Sequence, residues 1–196
     1  MDNLLLNQRL QFVLELDRLK QVQRQTLLLD QSRQENSAEH SWHLALMAIA
    51  LAEYAPPETN LFRAIQQVLI HDIVEIDAGD VFCYDAAAHT DKAQREAEAA
   101  TRIFGLLPEP QAAELRSLWD EFEASETPTA QFAAALDRLQ PFLHNQQTQG
   151  GTWKKYGISR QQVMQRMAPL KTGTPALWNW TVGTIDDCVA AGWLRP

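Results

Sequence analysis

The chain has 196 residues, 45% of them hydrophobic, and no Gly/Ser/Pro-rich linker divides it, so one sizeable core and a single domain over residues 1–196 are expected. Its 17 Lys and Arg against 25 Asp and Glu give a net charge of −8, and no basic run could neutralise a phosphate backbone, which argues against a nucleic-acid polymer as partner. A small phosphorylated molecule stays compatible, because one or two arginines and a divalent cation can hold a single phosphate.

Apolar residues recur at i, i+3, i+4 and strand signals are nearly absent, so the predicted fold is an all-α helical bundle. The N-terminal stretch Met1–Asn7 has an acid where a signal peptide needs basic residues, and a first helix is predicted over about 3–22, with Leu6, Leu10, Val13 and Leu14 on its apolar face. Thr26–Asn36 reads as a connecting loop. A second helix runs from Ser37, read as its N-cap, to about Tyr54, where Pro56-Pro57 stops it. Its apolar stretch Leu44–Ala52 is about half the ~20 residues a membrane span needs. A third helix covers about Asn60–Val74, and a loop carrying Gly79, Asp80 and Asp85 follows to Thr90. Helices are predicted over 91–104, from Pro108 and Pro110 to Glu123, and from the N-cap pair Thr127-Pro128 onward, with a kink at Pro141. Gly150-Gly151 breaks the chain before two C-terminal helices near 159–167 and 175–191, which pack on a motif-bearing core of about 9–145. Cys83 and Cys188 lack metal-type spacing and read as reduced thiols, consistent with a cytoplasmic protein.

Three of these helices carry a polar residue inside an apolar stripe. Asp72 follows Ile65, Val68 and Leu69; His40 heads the stripe Leu44, Met47, Leu51; Asp137 interrupts Phe132–Leu139. An unpaired charge there is costly, so each needs a counterion or a metal. Ion pairs with Arg18, Arg63 or Arg138 would meet that need. With His71 beside Asp72, however, the set becomes two imidazoles and two carboxylates. That set suits Mn²⁺, Co²⁺, Fe²⁺, Ni²⁺ or Zn²⁺ and leaves positions open for water and substrate, which points to hydrolysis. Glu75 lies three residues after Asp72 on the same helical face. His43, one turn from His40, could reach the same centre, whereas His89 and His144 read as ordinary loop and helix-end residues.

The ordered words Glu39-His40-Ser41, His71-Asp72-x-x-Glu75 with Gly79-Asp80, Leu118–Glu123 and Ala135-Leu136-Asp137 together resemble the 5′-deoxynucleotidase branch of the HD-domain phosphohydrolases over about residues 9–145. The resemblance implies an HD-type helical bundle, commonly a homodimer, that hydrolyses deoxynucleoside 5′-monophosphates. It assigns a divalent cation (Co, Mn, Fe, Ni, Zn or Mg) to His40, His71, Asp72 and Asp137, and leaves His43 to packing or to support behind a metal ligand. It gives proton transfer to Glu75, contact with the sugar 3′-hydroxyl and support of catalysis to Asp80, and the substrate phosphate to Arg24, with Arg33 as a further phosphate candidate. Gln25 departs from the aromatic residue common after that arginine, which predicts a less tightly defined sugar pocket. Trp119 is expected to pack in the core. The competing readings are hydrolysis of another phosphate ester or a nucleotide polyphosphate, an HD-type di-iron oxygenase, which needs more histidines than are well placed here, and a non-catalytic nucleotide sensor.

Overall fold

The computed structural model describes residues 3–85 and 90–196, so His89 lies outside the described residues. The molecule is helical, as the spacing predicts, with one small hairpin. Helix α1 (Asn3–Glu15) tightens into a 3-10 turn over Leu16–Gln21. The chain then forms two antiparallel strands, β1 (Gln23–Leu27) and β2 (Gln34–Asn36), where a loop was expected. Alternation along the strands turns Arg24, Thr26 and Glu35 inward. Because those inward residues are polar, the hairpin leaves no trace in the hydrophobic pattern.

Helix α2 (Ser37–Ala50) is capped by Asn36, not Ser37. The Asn36 side chain accepts from the Glu39 amide, and the Glu39 carboxylate accepts from the Asn36 amide in return. Helix α3 (Leu61–Ile70) stops earlier than predicted: His71–Val74 winds as a 3-10 turn before the short α4 (Glu75–Ala78). Three residues per turn then align Asp72 with Glu75. Gly79, at φ +75°, makes the left-handed turn that leads into Asp80.

Helices α5 (Lys92–Phe104) and α6 (Glu109–Ala124) pack with α1 and the 71–78 segment around Phe12, Ile73, Ile103, Phe104 and Trp119. A second cluster gathers α2, α3 and α7 (Pro128–Gln147) with the C-terminal helices α8 (Gly151–Tyr156), α9 (Arg160–Met167), α10 (Leu170–Gly173) and α11 (Pro175–Ala190). As expected, Thr127 caps α7, its hydroxyl accepting from the Ala130 amide, with Pro128 at the first helical position. The helix continues through Pro141, which lacks the N–H that would ordinarily reach the Asp137 carbonyl. Small residues on α7, among them Ala133, Ala134 and Ala135, let its neighbours approach closely.

Gly173 marks the tightest of these approaches, since a Cβ there would collide with the Gln131 carbonyl and the Ala135 methyl. Gly173→Ala should therefore lower stability by about 1–3 kcal/mol, the usual scale of overpacking. A thermal melt should show a loss of about 2–4 °C per kcal/mol; an unchanged midpoint would mean that α10 can move off α7 at no cost.

Candidate metal centre and active site

The three polar interruptions of the apolar stripes meet at one point. His40, fully buried on α2, places Nε2 3.0 Å from Asp137 Oδ1 of α7 and 4.0 Å from Asp72 Oδ2. His71 Nε2 lies 3.6 Å from the same Asp137 oxygen and 3.0 Å from Asp72 Oδ1. The two imidazole rings are 5.6 Å apart between centroids. His71 Nδ1 donates to the Val68 carbonyl at 2.9 Å, which leaves Nε2 as the nitrogen that faces the centre. That buried nitrogen has no hydrogen-bond partner among the described residues. A buried ring nitrogen without a partner, facing two carboxylates and a second imidazole, is what a divalent cation would satisfy; His40, His71 and Asp137 bring their ligand atoms together in a group that fits one, and Asp72 stands beside it against His71.

Burial acts on all the carboxylates, yet their surroundings drive them apart. Desolvation pushes Asp72 up, but His71 and Arg24 outweigh it and bring its pKa down to about 2. Asp137 is likewise held well below the carboxylate range, burial being overcome by His40 and His71. His71 is raised well above 6.5, since Asp72 and Asp137 outweigh its burial. Glu75 goes the other way: burial, reinforced by the Asp72 charge, raises it well above 4.5, even though Ser37 Oγ donates to its Oε2 at 2.6 Å. With Asn36 capping α2, the Ser37 hydroxyl is available for this contact. Asp80 is also raised by burial, against the pull of Arg24.

Arg24 is buried in the cavity wall, where Nη1 donates to Asp72 Oδ2 at 2.8 Å and stands 3.9 Å from Asp80. Glu75 and Asp80 line the same cavity. Arg33 does not. Its exposed guanidinium forms a two-pronged pair with Glu39 at 2.9 and 2.5 Å, so the phosphate role expected for it finds no support in its position. His144 departs from its expected place as an ordinary helix-end residue: it is buried and converges with His43 and Glu35 behind His40.

The cavity also contains cations that sequence reasoning did not assign to a substrate. Arg138 Nη1 lies 3.4 Å and Arg166 Nη2 3.7 Å from Asp137 Oδ2. Arg138 was visible only as a neighbour of Asp137, and nothing near Arg166 in the chain marks it. Gln25 accepts from the Tyr156 hydroxyl at 2.6 Å, and Tyr156 packs on Phe82 with centroids 4.5 Å apart. Since Phe82 lines the cavity, an aromatic surface comes from elements remote from position 25. Trp119 packs in the core as expected.

Comparison with known proteins agrees with this geometry. The model of the HD domain matches residues 16–178. The chain is 30% identical over 144 residues to 5′-deoxynucleotidase HDDC2 of Danio rerio, covering 73% of this chain and 68% of that protein. It is 32% identical over 135 residues to the Homo sapiens protein of the same name, covering 68% of this chain and 65% of that protein. The matched stretch thus spans about two thirds of these relatives' length. A crystal structure described as a predicted metal-dependent phosphohydrolase from Magnetospirillum magnetotacticum superposes with a TM-score of 0.94 at 51% identity, over 98% of this chain and 100% of that one. By the match over residues 16–178 and the fold shared with that structure, this chain belongs to the HD-domain family.

Proposed function

We propose that the chain is a metal-dependent phosphomonoesterase that hydrolyses deoxynucleoside 5′-monophosphates to deoxynucleoside and phosphate, acting through one HD domain over residues 1–196. The observation that carries this reading is the convergence of His40, His71, Asp72 and Asp137 on one point in the wall of a cavity that also presents Glu75, Asp80 and Arg24. The names of the curated relatives support the substrate class. Those four residues would hold a divalent cation, which would supply Lewis-acid polarisation of the phosphate and a water of lowered pKa.

The remaining residues divide the work around that centre. Glu75, whose pKa burial and the nearby Asp72 charge raise well above 4.5, would give a proton to the departing 5′-oxygen as the water oxygen bonds to phosphorus and the P–O bond breaks, and would be reprotonated by the proton the water releases. Arg24 holds Asp72 in place and, with Arg166 across the cavity, neutralises the phosphate oxygens. Asp80, placed by the Gly79 turn, accepts from the sugar 3′-hydroxyl. Phe82, backed by Tyr156, offers its ring to the sugar and base.

Two further proposals concern the protein's surroundings. Cytoplasmic residence is consistent with two free cysteines, and no helix among the described residues is long and apolar enough to cross a membrane. A homodimer would cover Trp42, Leu46 and Ile49, which share one face of α2 and are 62%, 46% and 57% exposed.

Phosphate release from matched deoxyribo- and ribonucleoside monophosphates, with nucleoside triphosphates for comparison, tests the function directly. Monophosphates should be the substrates. The deoxy form should be favoured by tens of fold, corresponding to the ~1–3 kcal/mol of one packing contact. Asp137→Ala should abolish phosphate release and bound metal together; retention of both would remove this residue from the site.

Glu75→Gln should lower kcat by about 10²-fold or more with metal content unchanged. It should also stabilise the metal-free protein. A carboxyl whose pKa is raised on folding binds more protons folded than unfolded, so stability falls as pH rises through its folded pKa, and the glutamine variant escapes that loss. Its melting temperature should exceed wild type at pH 8, and the gap should close as pH drops through 4.5, the ordinary glutamate value. A variant no more stable at pH 8 would contradict the raised pKa of Glu75.

Arg166→Ala should raise KM about tenfold or more, the scale of a lost charge-assisted hydrogen bond, while Arg33→Ala should leave kcat/KM within about twofold. Equal effects would show that position in the cavity does not identify the phosphate-binding arginine.

A further inference from the structure

Behind the metal centre, on the side of His40 away from the cavity, lies a second polar cluster that the proposed chemistry does not use. It comprises Glu35 from β2, His43 from α2, and Gln140 and His144 from α7. Glu35, Gln140 and His144 are buried. The amide nitrogen of Gln140 stands between the other three: it contacts Glu35 Oε1, lies 3.1 Å from His144 Nε2, and lies 3.4 Å from His43 Nδ1. Its amide oxygen points the opposite way, 3.1 Å from His40 Nδ1.

Counting donors and acceptors determines how this network must be arranged. His144 Nδ1 lies 2.9 Å from the Leu27 carbonyl, which only accepts, so that nitrogen donates, and in the tautomer this contact selects Nε2 presents a lone pair to Gln140. The Glu35 carboxylate is an acceptor as well, and the Arg24 guanidinium, 3.5 Å from its Oε2, favours its charged form. Two acceptors therefore face Gln140 from one side, and only the amide NH₂, with its two hydrogens, can satisfy them. The amide oxygen is forced toward His40. Glu35 Oε2, buried and without a hydrogen-bond partner among the described residues, stands 3.6 Å from the same His40 nitrogen. Both groups next to His40 Nδ1 accept, so that nitrogen must donate.

We infer that Glu35 and His144 orient the Gln140 amide so that it holds the proton on His40 Nδ1 and leaves Nε2 as the metal-binding nitrogen. Gln140 is a positioning residue, and Glu35 and His144 act through it. The inference rests on His40 being a metal ligand. His71 is set the same way by a simpler device, its Nδ1 donating to the Val68 carbonyl. On α2, by contrast, the His40 ring is served by side chains of β2 and α7, so its tautomer depends on tertiary structure. Sequence spacing fits the arrangement: Asp137, Gln140 and His144 share one stripe of α7 at i, i+3 and i+7, and His40 and His43 face them at i and i+3.

The test compares two replacements of Gln140 by the affinity of the metal-free protein for Mn²⁺, measured calorimetrically. Gln140→Leu keeps the bulk but offers His40 no acceptor, and should weaken Mn²⁺ binding by about 10- to 100-fold, the usual effect of removing such a partner. Gln140→Glu keeps an acceptor for His40 Nδ1 and should bind Mn²⁺ more tightly than the leucine variant, despite the charge it adds beside Glu35. A purely packing role predicts the reverse order, with the apolar variant the better binder. His43→Ala should stay within about threefold of wild type, since the amide's two hydrogens are already engaged.

Should Gln140→Leu fail to fold, nitrogen-15 spectra of the wild-type Zn²⁺ form give the answer: a slowly exchanging proton on His40 Nδ1 is expected, and its absence overturns the inference. Failure of the metal assignment itself shows separately, as Asp137→Ala retaining its metal. Gln140→Leu binding Mn²⁺ as wild type while Asp137→Ala has lost it would overturn only the relay. So would loss of one bound ion in the double variant His43→Ala, His144→Ala with the Asp137-dependent ion retained, because the cluster would then be a cation site in its own right.

Discussion

Two carboxylates that must remain charged, Asp72 buried and Asp137 nearly so, lie where α2, α3 and α7 meet, and their desolvation governs much of the architecture around them. Removing an ionised carboxylate from water without a partner costs far more than a domain of this size can spare. Asp72 is accordingly met by Arg24 and His71, and Asp137 by His40, His71 and the arginines on α7 and α9. Each of these partners needs its own backbone support. The hairpin turns Arg24 inward, the 3-10 turn after α3 places His71 and Asp72, and the capping box that starts α2 sets His40 one turn into the helix.

The same cavity divides its carboxyl groups into two kinds. Asp72 and Asp137 are driven down by positive neighbours and are suited to holding a cation, whereas Glu75, deeper in burial than in countercharge, is driven up and is suited to carrying a proton. Pushing the pKa values of neighbouring acids apart is how one pocket obtains both an anion and an acid at neutral pH. The segment His71–Ala78 carries both kinds, and its short 3-10 pitch brings Asp72 and Glu75 onto one side.

Helix α7 joins these functions to the core. Its N-terminal half is rich in small buried residues against which α3 and α10 pack, and its C-terminal half carries the polar stripe from Asp137 to His144. The polar stripe is enclosed on one side by the hairpin and on the other by the metal centre, so its side chains satisfy one another. Buried hydrogen-bonded networks of this kind are stiff, and a metal site benefits from stiffness because its ligands keep their geometry between turnovers.

The sequence by itself determined the helical class, most helix limits and the polar residues that meet at the centre of the bundle. A charge or imidazole at i, i+3, i+4 spacing among Ile, Leu and Ala has few physical explanations, which is why His40, Asp72 and Asp137 stood out before any coordinates. The hairpin was not legible because its inward residues, Arg24, Thr26 and Glu35, are polar and carry no hydrophobic alternation. Asn36 went unrecognised as the cap because Ser37 beside it is an equally good capping residue, and only the Glu39 contact distinguishes them. Arg33 looked competent for phosphate by residue type, and its pairing with Glu39 away from the cavity depends on how β2 enters α2. Arg166 and His144 are the converse: nothing near Arg166 in the chain marks it, His144 shares only a helical stripe with Asp137 and Gln140, and each acquires its place when α9 or α7 packs against the site. Local spacing can reveal which residues share a helical face. Which faces meet, and which side chain on another element completes a hydrogen bond or neutralises a charge, is settled by long-range packing, and so the tertiary structure alone decided the arginines of the cavity and the cluster behind His40.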